Sequence, residues 1–170
     1  MTASRTEVNL LVGILNRSFY EDPVEFHDRR WHSLLSNLES VRPEDWDVLP
    51  DGAERPIREL VLHTGKCYLM YENHCFGDGT LGWTAGAMAD GLPTPATPEQ
   101  TITWLRAAHR KFSESLAKST DEQLAEPGPG DWSEGHPRRD IVERMIQHGL
   151  YHSGEINHLR GTIQRNDAWD

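Results

Sequence analysis

Between Pro137 and Gln164, Ile141, Met145, His148, His152, Ile156, Leu159 and Ile163 recur in steps of three and four. That period puts all seven on one face of a helix. Three further segments repeat the pattern. From Arg5 to Tyr20 the stripe is Val8, Leu11, Val12, Leu15 and Phe19. A helix opening at Pro56, a good first-turn residue, carries Ile57, Leu60, Val61, Tyr68 and Tyr71 and stops after Phe76, near Gly77-Asp78-Gly79. The run Thr97-Pro98-Glu99-Gln100 has a capping threonine, a first-turn proline and a glutamine placed to complete a capping box. The helix it starts shows Ile102, Leu105, His109, Phe112 and Leu116 and ends around Ser119, before Glu126-Pro127-Gly128-Pro129-Gly130.

The connections are irregular. Glu21-Asp22-Pro23 interrupts the first helix, since Pro23 removes an N–H and restricts Asp22. Helical spacing resumes at Trp31, Leu34, Leu35 and Leu38, as a second helix or a kinked continuation. A polar connection runs from Ser40 to Arg55, with Pro43, Pro50 and Gly52. A longer one, Gly79 to Ala96, contains Trp83 and Met88 and reads equally as a functional segment or a packed surface loop. No segment alternates as a strand does, and there is no repeat or linker. The expectation is an all-α, four-helix bundle with long irregular connections, one domain over residues 1–170.

Charge excludes some partners. Against 27 acidic residues stand 17 Lys and Arg, a formal net charge of -10, with only local basic pairs such as Arg29-Arg30 and Arg138-Arg139. Nucleic acid and anionic membrane are therefore not expected partners. No stretch approaches the roughly 20 apolar residues of a membrane span, and the start MTASRTEVNLL lacks a signal-like apolar run. Cys67 and Cys75 lie about two helical turns apart, too far for a disulfide within one helix. They read as buried thiols in a reducing compartment, so the cytoplasm is the expected location.

The sharpest chemical signal is His148 with His152. Four apart, they project from one face one turn apart, and both fall inside the apolar stripe. Imidazole nitrogens buried there need partners. A metal ion bound by both meets that need; two hydrogen-bonded core histidines are the alternative. A third ligand has to come from another helix, and His63, at the edge of the Leu60-Val61 face, is placed to reach the centre. Glu59 precedes His63 by one turn and Glu155 follows His152 by one turn. Either carboxylate suits three roles: orienting a ligand imidazole, acting as a base on metal-bound water, or making a surface pair.

Two segments carry a resemblance. Ile57-Arg-Glu-Leu-Val-Leu-His63 is similar to the start of the second bundle helix in the DinB-like superfamily. His148-Gly-Leu-Tyr-His152-Ser-Gly-Glu-Ile156-Asn-His-Leu-Arg160 resembles its closing motif, and the separation of about 85 residues fits. Trp31-His32-Ser-Leu-Leu35 before a polar turn is also similar to family members, so the resemblance covers about Val8 to Ile163. It implies a four-helix bundle connected in an up-up-down-down style, usually a homodimer. It also implies a divalent metal on three histidines, which map to His63, His148 and His152. Relatives include transferases that use low-molecular-weight thiols, a maleylpyruvate isomerase domain and presumed metal-dependent hydrolases. The reading that follows is a hydrolase or thiol transferase acting on a small molecule; the alternative is a non-catalytic binding or structural module stabilised by metal. Three nitrogens suit zinc, nickel, cobalt or iron, zinc and nickel first, and disfavour calcium.

The remaining candidates are weaker. His109 reads as a core or interface histidine with a local hydrogen bond, ahead of a pocket role. His158 is off the ligand face, and His74, about 16 Å along the helix from His63, is too distant to share an ion. His27, His32 and His136 sit near helix ends. Cys67, one turn after His63, reads as a buried small thiol rather than a thiolate ligand. Tyr151 points away from the pair, towards an adjacent helix or a partner subunit. Gly149 and Gly154 read as close-packing positions or as a locally poorer helix. Trp83 and Trp132 read as a pocket mouth or as loop anchors.

Overall fold

A computed structural model describes residues 4–20, 33–82, 95–130 and 135–166. Six helices appear there: α1 (Thr6–Phe19), α2 (Leu34–Glu39), α3 (Ile57–Phe76), α4 (Pro98–Lys118), α5 (Asp121–Ala125) and α6 (Arg138–Gln164), with a 3-10 turn at Pro43–Asp45. No strand occurs among the described residues. The all-α expectation stands, and the four expected long helices are α1, α3, α4 and α6. Pro23, Trp31, Trp83, Met88 and Trp132 lie outside the described residues, as do His27 and His32.

Local chemistry sets the ends. Thr97 caps α4, its hydroxyl accepting from the Gln100 N–H at 3.3 Å. The expected capping box is only half formed, because the Gln100 carboxamide accepts from the Ala96 N–H rather than from Thr97. A complete box sits instead at α5, between Thr120 and Gln123. Pro56 is the residue before α3, not its first turn, because its ψ of 166° is extended. The start of α1 is capped from across the fold: Asp121 accepts from the N–H groups of Thr6 (2.9 Å) and Val8 (3.0 Å). A carboxylate suits that end of a helix.

Cross-contacts give the helix directions. Arg5 donates to the Ala117 carbonyl, while Ser113 meets Asn16 and Phe19 meets His109, so α1 and α4 are antiparallel. Gly65 faces Trp104, and Glu72 pairs with Lys111 and Ser115, so α3 and α4 run parallel. His63 meets His148 and the Cys75 carbonyl meets Arg138, so α3 and α6 are antiparallel. The order is therefore up-down-down-up, which corrects the up-up-down-down expectation. The parallel α3–α4 pair explains the long connection between them. Ala96 lies beside Arg58 at the start of α3, so Gly77 and Ala96 sit at opposite ends of that helix, about 27 Å apart.

The core is continuous, built from the apolar stripes of all four long helices together with Leu34, Leu35 and Leu38 of α2. The Ser40–Arg55 connection is more than a polar spacer. Trp46 within it is fully buried, and its carbonyl accepts from the Arg58 N–H at 3.0 Å. Asp45 is held by Arg42 and Gln164. Of Gly149 and Gly154 in α6, Gly149 is a packing position: a Cβ there would lie 3.2 Å from the Tyr68 hydroxyl. Gly154 faces open space. No helix among the described residues is long and apolar enough to cross a membrane.

Candidate metal centre

The second turn of α3 and the middle of α6 cross where the three histidines converge. His148 Nε2 lies 3.2 Å from His63 Nε2 and 3.1 Å from His152 Nε2. The potential ligand atoms of all three lie within 4.8 Å of one another. His152 is buried, while His63 and His148 are half-buried. The α6 backbone is pinned beside His152, where the buried Asn37 amide of α2 donates to the Ser153 carbonyl (2.9 Å) and hydroxyl (2.7 Å).

Protons account poorly for this cluster. His152 Nδ1 donates to Glu155 Oε2 at 2.8 Å. That bond puts the ring proton on Nδ1 and leaves Nε2 as a lone pair. His148 Nε2 touches two other ring nitrogens, and one proton there cannot serve both contacts well. A shared cation can. Zinc–nitrogen bonds of about 2.0–2.1 Å place tetrahedral ligand nitrogens about 3.3–3.4 Å apart, close to the spacings observed. The donor set fits a divalent transition metal. The buried His148 Nδ1 makes no hydrogen bond in the described structure.

Electrostatics favour the neutral ring, the form that ligates, at His63 and His148. Burial, reinforced by the other two histidines and by the Arg55 charge, pushes His63 down to about 4, against a small opposing pull from Glu155. Burial, His152 and Arg55 push His148 down to about 4. Of the two expected carboxylates, Glu155 reaches the cluster through His152. Glu59 is exposed, with no hydrogen bond or ion pair to the triad among the described residues.

The family model described as the DinB superfamily matches residues 27–156. The chain belongs to the DinB superfamily. No curated protein and no solved structure matches it. The superfamily match spans His63, His148, His152 and Glu155, and of the residues read from the two motifs the fold brings the three histidines and Glu155 together.

Elsewhere the structure redistributes the candidates. His109 is a core residue as expected, but without the expected local hydrogen bond. Its ring stacks on Phe19 at 3.8 Å and meets the edges of Tyr20 and Tyr68. The Leu15 carbonyl only slightly favours its protonated form, and neither ring nitrogen makes a hydrogen bond of normal geometry. His74 is buried at the far end of α3, on the Leu81 carbonyl at 2.6 Å. His158 is exposed, and His136 lies 3.9 Å from Asp140. Tyr151 is 68% exposed and turns its ring against His152 instead of an adjacent helix.

Cys67, read from its i to i+4 step as a buried thiol on the side of His63, is buried as expected and also reaches the cluster: its Sγ lies 3.8 Å from His63 Nε2 and 3.9 Å from His148 Nε2. One site neighbour escaped the sequence reading, Asn37, whose only signal was an amide among the leucines of α2.

Proposed function

We propose that this DinB superfamily protein is a metal-dependent enzyme acting on a small molecule, as a hydrolase or a low-molecular-weight thiol S-transferase. The observation that carries the reading is the convergence of three ring nitrogens, one of them fixed by Glu155. His63, His148 and His152 would hold the ion. When bound, a divalent metal lowers the pKa of water or of a thiol and polarises a carbonyl. The half-buried state of His63 and His148 supports access from solvent, as a catalytic rather than a sealed site requires.

The protein's own groups have distinct tasks in this reading. His152 is held by Glu155 with its Nε2 lone pair towards the ion. Glu155 is also the candidate base on an attacking water in the hydrolytic case, for which it would have to leave the His152 Nδ1–H from which it now accepts. Glu59 is the second candidate base and would need a side-chain swing to act. Zinc or nickel is the proposed ion, the cytoplasm the proposed location and a homodimer the proposed assembly. The net charge of -10 supports a small-molecule substrate over a nucleic acid.

The test is elemental analysis by mass spectrometry of untagged protein beside His148→Ala, followed by hydrolysis and thiol-transfer assays with the ion restored. About one transition metal per chain, lost with His148, together with turnover that needs His148, supports the enzyme. Metal without turnover on a broad panel leaves the stabilised binding module. No metal, even after incubation with zinc, nickel, cobalt and iron under reducing conditions, defeats the triad reading.

A further inference from the structure

We propose that Cys67 is a fourth protein ligand of the ion held by His63, His148 and His152, bound through Sγ from the buried side of the cluster. The inference rests on the triad reading above and adds a soft donor to it. Cys67 follows His63 by one helical turn, so both side chains leave the same face of α3. Its sulfur sits over the edge joining two ring nitrogens that are 3.2 Å apart, at 3.8 Å from one and 3.9 Å from the other. With a zinc–sulfur bond of about 2.3 Å and zinc–nitrogen bonds of about 2.1 Å, a tetrahedral sulfur–nitrogen edge is about 3.6 Å. The distances to His63 and His148 exceed that by a few tenths of an ångström, and the third edge, to His152, is not formed among the described residues, so coordination needs the Cys67 side chain to turn towards that ring as well.

The surroundings separate two sides of the site. The Cys67 side chain is buried, and its hydrogen-bond contacts among the described residues are those two ring nitrogens. His63 and His148 keep contact with solvent. With the sulfur below, the four protein donors fill a tetrahedral set, so a substrate or water on the solvent side would enter as a fifth ligand or in place of the sulfur. On coordination the sulfur–metal bond forms, the S–H bond breaks, and the proton leaves to solvent. No oxidant or reductant takes part. A thiolate in the set also turns selectivity further from magnesium and calcium and towards zinc, cobalt and nickel.

Cobalt(II) titration of the metal-free protein tests this, followed by absorption spectroscopy under a reductant that does not bind metal. Cobalt bound by sulfur shows a near-ultraviolet thiolate-to-cobalt charge-transfer band; cobalt bound by nitrogen alone shows only the weaker visible bands. The expected result is the charge-transfer band in the wild type and in Cys75→Ala, and its loss in Cys67→Ala and Cys67→Ser, with the visible bands retained. Circular dichroism checks that the variants are folded, and the serine variant covers the case in which alanine fails to fold. One cobalt per chain without the band in the wild type overturns the inference and leaves the triad intact. So does a band that survives in Cys67→Ser. If no cobalt binds to any form, the triad reading falls and the thiol inference falls with it.

Discussion

Two groups of buried histidine chemistry lie in this bundle, and they differ in an instructive way. At the α3–α6 crossing, His63, His148 and His152 aim their nitrogens at one another, and a carboxylate holds the third ring. At the α1–α4 contact, His109 lies flat on Phe19 between two tyrosine edges, its nitrogens without hydrogen bonds. Burial pushes His63, His148 and His109 alike down to about 4. Burial and a depressed pKa therefore do not distinguish a ligand from a packing ring. Converging nitrogens and a carboxylate behind one of them do.

The largest expected effect divides the two groups outright. His148→Ala should reduce bound metal from about one per chain to none, whereas His109→Phe should leave it at one. Elemental analysis of both variants breaks the comparison if either result is reversed.

The next effect is on acid stability. His109 has a folded-state pKa below its ordinary value of 6.5, so between about 4 and 6.5 the unfolded chain binds the extra proton. Its contribution is fully present above pH 6.5 and is lost as the pH falls towards 4, on the order of 3 kcal/mol in total. Denaturant unfolding of the metal-free protein across that range should show a shallower acid loss in His109→Phe, with no fall in stability at pH 7. An unchanged pH profile would mean that the His109 ring is protonated or hydrated in the folded state.

Glu155→Gln sharpens the other side. Gln can still accept from His152 Nδ1 but carries no charge, and metal affinity should weaken by roughly 10–100-fold, read by competition with a chromophoric chelator. Equal affinity would demote Glu155 to a surface residue. The smallest effect belongs to Asn37→Ala, which removes two buried hydrogen bonds to Ser153. It should cost about 1–2 kcal/mol of stability while the metal stoichiometry stays at one.

Read alone, the sequence determined the helical class, the extents of the long helices to within a residue or so, and the three histidines. These are consequences of a repeat of three and four residues, of caps and prolines at the ends, and of two motifs whose residues lie close together along a helix. Only the tertiary structure decided the rest. The parallel course of α3 and α4, the burial of Trp46 in a polar stretch, and the carboxylate of Asp121 capping α1 all join residues distant in sequence. The same holds for His109, whose stripe position announced burial but not the aromatic faces that would surround it. Cys67 shows the limit most clearly. Its spacing put it on the side of His63, but its approach to His148 depends on how two antiparallel helices meet, which no local pattern encodes.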